Sequence, residues 1–126
     1  MIRVYLGVLS ILGMVFLSVI YCLRSFCRTR KIGLDHWLAK ANRYLRKMHK
    51  PLGAAVILMS LAHGILAFRG HDLPTITGKL CFLMLLLLLL TYFLRSQLKK
   101  QWITLHRLLT VLLWLLVIGH VVLQIG

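Results

Sequence analysis

Four long apolar runs, separated by links rich in Lys and Arg, constrain the fold of this chain more than any other feature. The runs cover residues 2–23, 51–68, 77–94 and 104–125. Each is close to the roughly 20 residues that a helix needs to cross a bilayer. Of the 126 residues, 60% are hydrophobic and only 2 are acidic, and a water-soluble chain of this size could not bury so much apolar surface. The sequence predicts an all-α membrane protein, with four transmembrane helices in a bundle and a single domain over residues 1–126.

The link between the first two runs has a pattern of its own. Apolar residues recur at helical spacing through residues 34–48, and most of the cations there lie on other faces. This predicts an amphipathic helix lying in the membrane interface, with Trp37 and Tyr44 at headgroup depth. A face that docks a partner protein is an alternative interpretation. Pro51 follows, so either the next helix kinks there or His49 lies in a turn before it.

The distribution of positive charge predicts the orientation in the membrane. The links at residues 24–50 and 95–107 hold nine and four Lys or Arg, whereas the link between the second and third runs holds two, Arg69 and Lys79. By the positive-inside rule, the first and third links lie in the cytoplasm and both termini lie outside. The net charge of +14 is therefore typical of membrane flanks that attract anionic lipid, and we expect no nucleic-acid partner.

One segment occurs twice, as a histidine, thirteen other residues and a second histidine. The copies run from His49 to His63 and from His106 to His120. Fourteen residues make nearly four helical turns, so both histidines of a copy project from almost the same face, roughly 21 Å apart. The predicted orientation places His49 level with His106 and His63 level with His120. We therefore expect two pairs of facing histidines at two depths.

Facing imidazoles on two helices are a normal way to hold the iron of a b-type haem. The four histidines are thus candidate axial ligands of two haems, as the pairs His49/His106 and His63/His120. Small residues are expected where a porphyrin approaches a helix, and they occur at Gly53, Ala54, Ala55, Ser60, Ala62, Gly64, Ala67 and Gly119. For any single membrane histidine, an interhelical hydrogen bond is an equally good interpretation. The repetition at equal spacing favours haem.

Several charged residues and two further histidines are secondary candidates. Lys50 and Arg107 each follow the first histidine of a copy and are candidate partners for the propionates of the inner haem. Arg69 is a candidate on the outer side. Each of the three is equally well explained as a flank charge that obeys the orientation rule. His36 and His71 are expected to be ordinary loop histidines.

Residues 37–126 resemble the ferric-reductase-like transmembrane family, which includes NADPH oxidases, ferric reductases and related bacterial haem-bearing subunits. The resemblance is carried by His49, Leu52, Gly53 and His63, and by the segment WITLHRLLTVLLWLLVIGH, which ends at His120. It implies bis-histidine ligation of two haems by two helices that are separated by one other helix. The chain departs from the fuller members, which commonly have six spans. It also shows no Gly-rich loop of the soluble nucleotide-binding domain that some of them carry.

The function expected from these features is electron transfer across the bilayer, from a donor on the cytoplasmic side to an acceptor outside. The chain would be the membrane component of an oxidoreductase in a bacterial inner membrane, with a soluble or membrane redox partner such as a flavoprotein. No catalytic residue is assigned. Two alternatives are a quinol-oxidising or quinone-reducing cytochrome subunit, and a non-redox small subunit of a larger membrane complex. A coupled transporter is disfavoured, because both acidic residues, Asp35 and Asp72, lie in links.

Overall fold

A computed structural model describes residues 1–31, 33, 36–68 and 72–125. Within these ranges the chain forms α1 (Ile2–Thr29), α2 (Trp37–Ala67), α3 (Leu73–Phe93), α4 (Arg95–Leu98) and α5 (Gln101–Ile125). Helices α1, α2, α3 and α5 are long and apolar enough to cross a membrane. For the described residues, the prediction of an all-α chain with four helices able to span a membrane is therefore confirmed.

The outward faces of the long helices are apolar. Ile65, Leu115 and Val122 are 67%, 63% and 62% exposed. Exposed aliphatic area costs about 25 cal/mol per Å² in water, and this cost disappears when the area contacts lipid chains. An exterior of this kind suits a helix in a membrane and not one in solvent.

Helix α2 differs from its prediction. A separate interfacial helix over residues 34–48 was expected, but residues 37–67 form one helix of 31 residues, and residues 34 and 35 lie outside the described part. Proline lacks an N–H and normally breaks a helix interior, yet membrane helices tolerate it, and Pro51 lies inside α2. His49 is therefore helical, so the alternative that placed it in a turn before the span was wrong.

The end of α1 and the starts of α3 and α5 lie outside the predicted apolar runs. Helix α1 continues to Thr29, because hydropathy marks where a run becomes polar and not where helical hydrogen bonding ends. Helix α3 begins at Leu73, where the Asp72 carboxylate accepts a hydrogen bond from the Thr75 N–H at 3.1 Å. An Asp at this position followed by Pro near the first turn is a strong helix start.

The chain divides into two compact units, Met1–His63 and Gly64–Gly126. In the first unit, α1 packs against α2 through a face that includes Ser10, Gly13 and Met14, all buried. Val56 of α2 is only 1% exposed, and a Cβ added at Gly13 would lie 2.5 Å from its Cγ2 atom. Glycine at this position is what permits the two helices to approach so closely.

In the second unit, α3 and α5 pack in antiparallel directions. Thr77 near the start of α3 contacts His120 near the end of α5, and Thr91 near the end of α3 contacts His106 near the start of α5. Leu85 of α3 and Leu113 and Val117 of α5 are buried. The two polar contacts thus lie on either side of an apolar middle.

Candidate haem-ligand site

Each copy of the repeated segment lies on one continuous helix. His49 and His63 belong to α2, and His106 and His120 belong to α5. The prediction that the histidines of one copy share a helix is confirmed. Each predicted haem pair takes one histidine from each unit, and that pairing stays a prediction.

His63 is anchored to the first helix. Its Nδ1 atom lies 2.7 Å from the backbone carbonyl oxygen of Arg3. Since a carbonyl can only accept, the imidazole Nδ1–H donates. Gly7 lies one turn after Arg3, and a Cβ added there would be 3.0 Å from the His63 Cε1 atom. The missing side chain at Gly7 leaves room for the ring to reach the carbonyl.

His120 has a matching arrangement on α3. Its Nδ1 atom is 3.0 Å from the Thr77 hydroxyl oxygen, which itself lies 3.1 Å from the carbonyl oxygen of Leu73 and 3.0 Å from that of Pro74. The single hydroxyl proton is directed to these carbonyls, so the hydroxyl oxygen accepts from the imidazole. A Cβ added at Gly78 would lie 3.2 Å from the His120 Cε1 atom, so this ring also packs against a glycine.

His106 is held by the other end of α3. Its Nδ1 atom is 2.9 Å from the hydroxyl oxygen of Thr91, and that hydroxyl donates to the Leu88 carbonyl at 2.7 Å. Because the hydroxyl proton is directed to that carbonyl, the proton between the Thr91 oxygen and His106 Nδ1 must belong to the imidazole, so Thr91 again accepts. The Trp102 ring stands edge-on to His106, with 6.2 Å between centroids, and restricts rotation of the imidazole.

Three of the four candidate ligands thus have the same protonation pattern. In a neutral imidazole only one nitrogen carries a proton, so a donating Nδ1–H leaves the lone pair on Nε2. Histidines that ligate metals commonly have this form, with the second nitrogen donating to an oxygen that fixes the ring. The arrangement at His63, His106 and His120 therefore suits ligation through Nε2.

His49 is placed differently. Its side chain is exposed on α2, two residues before Pro51. Proline at 51 removes the N–H that would otherwise bond to the carbonyl of Lys47. The helical position of His49 keeps it fourteen residues from His63 on the same helix, as the ligand prediction requires.

Family models, curated proteins and solved structures were compared with the chain, and none matches. The resemblance to the ferric-reductase-like family accordingly stays a prediction from the residues that carry it.

The secondary candidates occupy exposed positions or lie outside the described residues. Lys50 and Arg107 are exposed, as a propionate partner or a flank charge would be. Arg69 and His71 lie outside the described residues. The ring nitrogen of His36 accepts the Leu38 N–H at 3.2 Å, and the His36 carbonyl accepts from residues 39 and 40. His36 therefore caps the start of α2, which agrees with its interpretation as an ordinary histidine.

Sequence reasoning missed the groups that hold the histidines. The third span has no polar residue in its middle, and no site residue was predicted on it. Thr77 and Thr91 lie at its two ends, and they are fourteen residues apart, the same separation as His106 and His120. That equal spacing could have indicated the two Thr–His contacts. It does so only if α3 and α5 are known to be antiparallel and in this register. The roles of Gly7 and Gly78 could be recognised only from the packing of the histidine rings against them.

Proposed function

We propose that the protein is a membrane cytochrome that carries electrons across the bilayer on two b-type haems. One haem is bound between His49 and His106, and the other between His63 and His120. The observation that carries the proposal is the hydrogen bonding of His63, His106 and His120, in which an oxygen acceptor holds each Nδ1. A proton on Nδ1 leaves the lone pair on Nε2, which is the form in which histidine commonly ligates a metal.

Three glycines on the ligand-bearing helices support the proposal. Cβ atoms added at Gly53, Gly64 and Gly119 would meet no described atom within 4 Å, in contrast to Gly7, Gly13 and Gly78, which serve helix packing. Gly64 and Gly119 directly adjoin His63 and His120. A flat porphyrin can approach a helix most closely where no side chain projects.

When bound, haem supplies an iron that gains and loses one electron. His49, His63, His106 and His120 would hold the iron, the acceptors at Nδ1 would orient the imidazoles, and the apolar helices would exclude water. Lys50 and Arg107 on the inner side, and Arg69 on the outer side, are placed in sequence to neutralise propionates. Two centres at different depths divide the membrane crossing into shorter electron transfers.

The distribution of Lys and Arg supports a direction for the electron transfer. The cation-rich links at 24–50 and 95–107 lie in the cytoplasm by the positive-inside rule, so electrons enter there and leave outside, where both termini lie. The membrane is a bacterial inner membrane. The donor is a soluble or membrane redox protein such as a flavoprotein.

Electron transfer into sealed vesicles tests the proposal. The purified chain is reconstituted into liposomes that contain ferricyanide, and ascorbate is added outside. Ascorbate is oxidised, one electron passes inward for each ferricyanide reduced, and the absorbance of ferricyanide falls. We expect this for the wild type and for a His36→Asn control, and a loss of at least about tenfold for His63→Ala and His120→Ala. Equal rates with and without protein contradict the proposal.

A non-redox subunit of a larger complex is the second candidate, and one observation favours it. The Nδ1 hydrogen bonds of His63, His106 and His120 each join two helices, which is also what structural membrane histidines do. Such a protein would be purified without pigment, and its reduced-minus-oxidised spectrum would be flat. A quinol-dependent cytochrome, by contrast, would show haem bands that appear on addition of a quinol.

A further inference from the structure

Helix α3 contributes a hydroxyl at each of the two levels where α5 carries a histidine. Thr77 and Thr91 are separated by fourteen residues, as are His106 and His120. Because the helices are antiparallel, both hydroxyls meet an imidazole, at 3.0 Å for Thr77 and 2.9 Å for Thr91. Two unrelated threonines on one helix would rarely match two histidines of its neighbour at equal spacing.

Each hydroxyl has a defined direction. Thr91 is 4% exposed and donates to the Leu88 carbonyl in its own helix at 2.7 Å. Thr77 donates to carbonyls of the first turn of α3. Hydroxyls that bond back to their own helix are common in threonine. The consequence here is that both oxygens face α5 with lone pairs, as acceptors for Nδ1–H.

We propose that Thr77 and Thr91 are positioning residues that set the tautomer and ring orientation of His120 and His106. Each keeps the proton on Nδ1 and so leaves the lone pair on Nε2. The identity of the group that Nε2 binds rests on the proposed haem function, whereas the tautomers themselves do not. The two threonines are therefore part of the ligand site although neither touches the cofactor.

The hydrogen bonds also set the electron-donating strength of the ligands. An acceptor at Nδ1–H makes the imidazole more basic, and a more basic ligand stabilises oxidised iron. Removal of either hydroxyl should therefore shift one haem to a higher midpoint potential. Thr91 directs its proton to one close carbonyl, whereas Thr77 divides it between two longer contacts. Since donation polarises a hydroxyl and strengthens it as an acceptor, Thr91 should have the larger effect.

The experiment compares Thr91→Val and Thr77→Val with Thr91→Ser and Thr77→Ser. Valine keeps the shape of threonine and removes the hydroxyl, and serine restores the hydroxyl. Thr110→Val is the matched control. The Thr110 hydroxyl donates to the backbone carbonyl of His106 at 2.8 Å, so its removal takes away a hydroxyl near His106 without changing the Nδ1 hydrogen bond. Each variant is the full chain in lipid nanodiscs.

The first readout is redox titration followed by optical spectra. We expect Thr91→Val to raise the potential of the haem that is lost in His106→Ala, and Thr77→Val that of the haem lost in His120→Ala. Haem retention at the affected site should fall by about 10- to 100-fold. The serine variants should restore both values, and Thr110→Val should leave them unchanged. Equal shifts in all three valine variants, or none, would overturn the proposal.

The second readout is independent of haem. In the full chain labelled with ¹⁵N-histidine and produced without haem, the nitrogen shifts report which ring nitrogen carries the proton. Nδ1–H is expected at His106 and His120 in the wild type, with a mixture of tautomers in the valine variants. Nε2–H in the wild type would overturn the inference even if a valine variant failed to fold. A chain that has the expected tautomers but never binds haem would refute the haem function and leave this inference standing.

Discussion

The Thr91 hydroxyl oxygen lies 2.9 Å from Nδ1 of His106, within a part of the chain that hydropathy alone describes as a plain apolar span. The same hydroxyl donates to the Leu88 carbonyl at 2.7 Å, so helix backbone, hydroxyl and imidazole form one directed chain. Polar chains of this kind inside apolar surroundings fix a single geometry, because every misaligned member would leave a polar group unpaired.

Gly7 should control the orientation of His63. A Cβ added there would lie 3.0 Å from Cε1 and 3.1 Å from Nδ1 of the ring, so Gly7→Ala should displace the imidazole from the Arg3 carbonyl. We expect about tenfold weaker retention of the haem that is lost in His63→Ala. The measurement is the ratio of haem to protein after purification. Gly33→Ala, at an exposed glycine whose added Cβ would meet nothing within 4 Å, is the control and should retain haem fully.

Gly13 should control the packing of α1 on α2. An added Cβ would be 2.5 Å from Val56 Cγ2, and overpacking of this kind costs about 1–3 kcal/mol. We expect Gly13→Ala to lower the unfolding midpoint in detergent, followed by circular dichroism. The double variant Gly13→Ala/Val56→Ala should recover part of the loss, since it removes the colliding methyl groups. Wild-type stability for Gly13→Ala would show that the helices can separate without cost.

A larger side chain at position 119 should be tolerated only if no porphyrin packs against Gly119. Under the haem proposal, Gly119→Val places branched carbons beside His120 and should reduce haem content, measured by the pyridine haemochrome assay. Val122→Leu adds bulk at a side chain that is 62% exposed and should have no effect. Full haem content in Gly119→Val would mean that this face contacts lipid.

The orientation can be tested with reporter fusions. Alkaline phosphatase is active only outside the cytoplasm, so a fusion after residue 125 should be active and a fusion after residue 98 inactive. The basis is the excess of Lys and Arg in the links at 24–50 and 95–107. Replacement of Arg95, Lys99 and Lys100 by Gln should weaken this preference. The opposite pattern of activity would reverse the predicted direction of electron flow.

The helices could be predicted from the sequence because lipid demands long apolar segments with all backbone groups bonded internally. The same reasoning failed at α2, where amphipathic periodicity suggested a helix separate from the span. Helical hydrogen bonding instead continues across Pro51. Hydropathy cannot detect that continuity, because a helix that extends beyond the membrane becomes more polar while its backbone stays helical.

The candidate site was only partly predictable. The four histidines were visible because their spacing repeats along one chain segment. The Arg3 carbonyl and the hydroxyls of Thr77 and Thr91 were not, because a backbone carbonyl has no sequence signature and the threonines gain their meaning from the pairing of two helices. Contacts that depend on register between helices require the three-dimensional structure.

Haem content of the wild type beside His63→Ala and His120→Ala tests the central claim most directly. The account predicts about two b-type haems per chain in the wild type, as four axial histidines allow. It predicts loss of the same single haem, identified by its midpoint potential, in both variants. A wild-type protein without porphyrin, or variants that lose different haems, would contradict it.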